Sequence, residues 1–114
     1  MNIEAVVEDL LRLGESDWIG LWLIAACVAD DLGIDDPDRN LEVTLVLVKE
    51  LLRRSFRAGD SPAQNDCVHF TAWPDQDPES IVSFIRRQWT RRAELPSWGD
   101  GPWFAAPRFC RPNA

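Results

Sequence analysis

Five aspartates fall between positions 30 and 38: Asp30, Asp31, Asp35, Asp36 and Asp38. Carboxylates this close together can chelate a hard cation or attract a basic surface. Asp36, Asp38 and Asn40 have the odd-numbered spacing of an EF-hand calcium loop. That loop also needs glycine at its sixth position and glutamate at its twelfth, where this chain has Leu41 and Leu47. Pro37 is a further misfit, so calcium is rejected. Two readings remain. The carboxylates cap helices and solvate a corner, or they form a docking face for a basic partner.

Cys67 and His69, the single histidine, stand two residues apart, which on a strand places them on one face. A thiol nucleophile with its base, or a metal site completed by Cys110, would use such residues. Neighbours at that spacing are not placed for the short contact that activates a thiol, and ordinary zinc ligation lacks its second histidine. A structural cysteine and a surface histidine are expected. No glycine-rich phosphate loop, nucleophile elbow or H-E-x-x-H occurs in the chain. The expectation is therefore a protein without catalysis, metal or cofactor.

Arg86, Arg87, Arg91 and Arg92 form a basic run that could meet a nucleic-acid backbone. Against this, the 114-residue chain has a net charge of −7. Residues 1–50 hold 3 basic and 12 acidic side chains, whereas residues 51–114 hold 9 and 7. The acidic half repels phosphate, so a basic protein is the expected partner and nucleic acid is the alternative. The arginines would then pair with the chain's own acidic half, for example with its first helix. Six tryptophans accompany no tyrosine. Trp18, Trp22, Trp73 and Trp89 are expected in the core. Trp98 and Trp103 lie among prolines and glycines and are the candidates for exposed partner anchors.

These groups need a scaffold, and hydrophobic residues at 46% suffice for one core. Ile3, Val6, Val7, Leu10 and Leu11 make an apolar helical stripe between a capping Asn2 and a terminating Gly14. Ser16 or Asp17 is expected to cap a second, almost wholly apolar helix that runs to about Leu32 and stops at Gly33. Asp36-Pro37-Asp38 is a helix start. Leu41, Leu45, Val48, Leu52 and Phe56 then continue a stripe to about Arg57, although residues 41–48 also have strand propensity. Residues 67–73 alternate like a strand. Asp77-Pro78-Glu79 opens a last helix with Ile81, Ile85 and Trp89 inward, reaching about Arg92. Residues 102–106 are expected to pair with the 67–73 strand.

The longest apolar stretch, Trp18 to Ala29, is shorter than the roughly 20 residues that span a bilayer. The acidic amphipathic start does not resemble a signal peptide. Three cysteines, Cys27, Cys67 and Cys110, make no C-x-x-C pair and suit a reducing compartment. A cytoplasmic location away from the membrane is expected.

Residues 58–104 resemble a class of small uncharacterised bacterial proteins. The resemblance is carried by Ala58-Gly59-Asp60, by Phe70 with Trp73, and by Pro78-Glu79 with Ile85 and Trp89. It continues through Pro96, Gly99, Asp100, Trp103 and Phe104. Some proteins of this look are regarded as candidate immunity proteins, which neutralise a delivered toxin by occupying its active site or an adjacent surface. The resemblance implies a stoichiometric inhibitor, and it transmits no functional residue.

The expected fold is thus mostly α, a single domain of four helices with a small two-stranded antiparallel element. The expected function is binding of another protein, through Asp30, Asp31, Asp35, Asp36 and Asp38 with Trp98 or Trp103 as anchor.

Overall fold

The computed structural model describes residues 2–60, 72–89 and 101–109. Among these residues the fold is mostly α, with four helices and a small antiparallel sheet. Helix α1 spans Ile3–Leu13, and the Asn2 side chain accepts the Ala5 N–H at 3.1 Å as its N-cap. Val6, Val7 and Leu10 are its buried face. The chain then turns through residues 14–18 into strand β1, Ile19–Gly20, and helix α2, Leu21–Asp31.

Helix α3, Pro37–Arg53, starts as its sequence predicts, with Asp36 accepting the Arg39 N–H at 3.1 Å and Pro37 in the first turn. Residues 41–48 are helical throughout. Strand β2 covers Arg57–Gly59. Helix α4, Pro78–Trp89, is capped by Asp77, whose carboxylate accepts the Ser80 N–H at 3.1 Å. Strand β3 is Trp103–Ala105, followed by a single 3₁₀ turn at Pro107–Phe109.

The sheet departs from the two strands expected. Its order is β1-β3-β2, with β3 antiparallel to both neighbours. Phe104 stands opposite Ile19 on one side and Ala58 on the other, and all three are fully buried against the helices. Trp103, one residue earlier, points to the other face between Gly20 and Gly59. Two glycines leave the room that a broad indole needs, and Trp18, Trp22 and Ala72 complete a small cluster around it. Of the expected 67–73 strand, residues 67–71 lie outside the described residues. Ala72 makes one antiparallel bridge to Gly59.

Two helix boundaries also differ. Helix α2 begins at Leu21, not at Ser16 or Asp17, because Gly20 is extended and paired with Trp103. A segment apolar all round carries no stripe whose start could be read. The Leu21 N–H is satisfied from outside the helix, by the Pro102 carbonyl at 3.0 Å. Helix α3 ends at Arg53 because Ser55 takes a left-handed conformation, φ 72°. Phe56 continues the apolar spacing but is buried through this reversal, its N–H reaching the Leu51 carbonyl at 3.0 Å. A serine there costs about 1 kcal/mol that glycine would not.

Beyond the Ala72 bridge, the outer edge of β2 is closed by a side chain. Gln76 accepts the Ala58 N–H and donates to the Ala58 carbonyl, each at 2.8 Å, and donates also to the Trp73 carbonyl at 2.7 Å. Its amide thus copies a neighbouring strand's peptide group and fixes the 73–77 turn against the sheet.

Candidate protein-docking surface

The corner between α2 and α3 is built around one buried polar residue. Asn40 is wholly inaccessible, on the first turn of α3. Its Nδ2 donates to the Ala25 carbonyl of α2 at 3.1 Å and to the Ile34 carbonyl of the connecting turn at 2.8 Å. Its Oδ1 accepts from the buried Thr44 hydroxyl at 2.9 Å. One amide therefore ties both helices and their connection together. Gly33, at φ 69°, reverses the chain, and the Ile34 N–H returns to the Val28 carbonyl at 3.2 Å. Ile34 is buried, which seats the turn on the core.

All five sequence-predicted aspartates lie on this corner and all are exposed. Their roles divide. Asp36 is committed to capping α3, and Asp38 sits in the first turn of that helix, where the dipole welcomes negative charge. Asp35 lies in the turn. Asp30 and Asp31 end α2, at the pole where the helix dipole opposes a carboxylate. Among the described residues no cation lies within ion-pair distance of Asp30, Asp31, Asp35 or Asp38. Capping explains two of the five carboxylates. It leaves Asp30 and Asp31 as a standing electrostatic cost.

Cys27, one turn before Asp31, registers that field. Burial, then Asp31, Asp9 and Asp30 in that order, push its thiol above the ordinary range. Asp9 belongs to α1, so a third helix contributes to the negative surface, a contribution that its sequence position does not reveal. A thiol so placed is a poor nucleophile at neutral pH.

The basic helix is differently arranged. Arg86 donates to both Glu42 carboxylate oxygens, at 2.6 and 3.2 Å, across from α4 to α3. Lys49 of α3 pairs in the opposite sense with Glu79 of α4 at 2.9 Å. Among the described residues the arginine helix pairs with the acidic half through Glu42 of α3. Arg91 and Arg92 lie outside the described residues.

The proposed aromatic anchor at Trp103 is corrected by the sheet: its residue is only 8% exposed. Trp98 lies outside the described residues, as do Cys67, His69 and Cys110. Trp89 is buried as expected, whereas Trp18, Trp22 and Trp73 are half-buried. Among the described residues no group of three or more His, Cys, Asp or Glu side chains is arranged to hold a metal ion. No described helix is long and apolar enough to cross a membrane.

The sequence offered Asn40 only as a position of the rejected calcium loop, and its buried role was missed. The signal was its position one residue before Leu41, on the inward side of the Leu41–Leu45–Val48 stripe. Set against known protein families, curated proteins and solved structures, the chain matches none of them.

Proposed function

We propose that this protein is a non-catalytic, cytoplasmic binding protein whose α2–α3 corner docks a basic protein partner, in the manner of an immunity or antitoxin-type inhibitor. One observation carries the reading. Asp30 and Asp31 occupy the unfavourable pole of a helix, with no ion-pair partner among the described residues, on a corner tied together by Asn40. Charges that oppose folding are compensated if they act in association, where they steer a basic partner and discriminate against wrong ones. Preorganisation by the buried amide lowers the ordering cost of binding. The resemblance of residues 58–104 to candidate immunity proteins supports the same class.

The test is co-expression with the product of the adjacent reading frame. Stable co-purification and protection of cells from that product are expected. Absence of both would sink the inhibitor reading. Nucleic-acid binding through α4 ranks second, because Glu42 already occupies Arg86. It predicts salt-dependent DNA binding that Arg86→Glu with Arg87→Glu abolishes.

A further inference from the structure

Away from the corner, an open cleft of about 870 Å³ runs between the 73–75 turn and the exposed side of α4. Trp73, Pro74 and Phe84 supply its apolar wall among the described residues. The Trp73 and Phe84 rings meet edge to face, with centroids 5.2 Å apart and planes at 77°. Asp60 and Asp75 supply carboxylates, while Glu79 is already paired with Lys49 at 2.9 Å; Arg87 is the one cation among the described lining residues.

The wall is built, not incidental. Trp73 is fixed at both ends: its backbone N–H donates to the Ala58 carbonyl at 2.9 Å and its indole N–H to Asp60 at 3.0 Å. Gln76 clamps the turn to β2 from below. Asp75 accepts the Asp77 N–H at 2.9 Å, which holds its carboxylate at the rim. An aromatic shelf edged by carboxylates suits a long aliphatic stem that ends in a cation. The volume lies within the range of sites that enclose a drug-sized molecule or a few residues of peptide.

We infer that this cleft is a second binding site, for a short basic peptide segment whose arginine or lysine stems lie on Trp73 and Phe84 while their charges meet Asp75 and Asp60. It shares no residue with the acidic corner, so either site can fail without the other.

A capped hexapeptide of alternating arginine and leucine, titrated into the ¹⁵N-labelled full chain, tests the assignment. The Trp73 indole N–H and the amides of Glu79, Ser83 and Phe84 are expected to shift together. The same peptide with citrulline for arginine should bind about tenfold more weakly, since only the charge is lost. Asp75→Asn, which keeps the oxygen that accepts the Asp77 N–H, should weaken binding severalfold. Ser83→Trp should block the cleft without altering its charge, whereas Asp30→Asn with Asp31→Asn should leave the Trp73 shifts unchanged. Equal affinity for the citrulline peptide would overturn the proposal. So would shifts confined to residues 30–38, or the same shifts produced by raising protein concentration alone, which would make a second copy the occupant.

Discussion

The α2–α3 corner and the α3–α4 face carry charge in opposite ways. On the α3–α4 face, charges are spent within the molecule: Glu42 holds Arg86 and Glu79 holds Lys49, so each helix gives one acid and takes one. At the corner, four exposed aspartates have no cation within ion-pair distance among the described residues, and two of them oppose their own helix dipole. The polar work that holds the corner is done out of sight, by Asn40 and Thr44. The first arrangement stabilises a helix pair slightly. The second leaves charge available for a partner.

The largest expected break in this comparison is kinetic. Replacing Asp30, Asp31, Asp35 and Asp38 by Asn should slow association with the basic partner by about 10- to 100-fold at low salt. Stopped-flow measurement across ionic strength checks this, and Glu42→Gln should leave that rate unchanged. A salt-independent rate in the wild-type chain would break the contrast.

Next in size is Asn40→Ala, which strips the hydrogen bonds from two buried carbonyls and a buried hydroxyl. A loss of about 2 kcal/mol in denaturant unfolding is expected. Asn40→Asp would not rescue it, because it exchanges the donor amide for a carboxylate.

A smaller change of opposite sign should follow Asp30→Asn with Asp31→Asn. Relief of the helix terminus should stabilise the fold by about 0.3–1 kcal/mol, even as partner binding weakens. In the same variant, loss of two neighbouring negative charges should speed alkylation of Cys27, read by peptide mass mapping. Its thiol would then be held up by burial and Asp9 alone.

The smallest effect belongs to Glu42→Gln, at under about 0.5 kcal/mol, because both partners of the pair are largely open to solvent. Its pH dependence has a definite sign. The hydrogen bonds from Arg86 hold the Glu42 carboxyl below the ordinary range. The stabilisation is therefore present above the unfolded-state value and is lost as pH falls through the lower folded-state value. Acid unfolding of wild type and Glu42→Gln should converge there.

The elements legible in the sequence are those whose signals are local. Asn2, Asp36-Pro37 and Asp77-Pro78 each mark a helix start within a few residues, and all three serve as expected. Of the three strands among the described residues, β3 falls within the expected 102–106 strand, whereas β1, of two residues, and β2, of three, were not legible. Strands that short exist only through partners brought from distant parts of the chain. Trp103 shows the consequence: its proline and glycine context suggested exposure, and only Gly20 and Gly59 alongside it reveal why it is buried. The acidic corner was visible as composition, but its rigidity was not, since Asn40 acts through backbone carbonyls that carry no sequence signature.

Because Asn40 grips two backbone carbonyls and the buried Thr44 hydroxyl, and none of the surface side chains, the corner's shape does not depend on which residues it displays at positions 30, 31, 35 and 38. Geometry and electrostatic address are thereby separated. Substitutions there can retune affinity, or exchange one partner for another, on an unchanged frame. A lineage under pressure to follow a changing partner could do so through single surface substitutions, without passing through unstable intermediates.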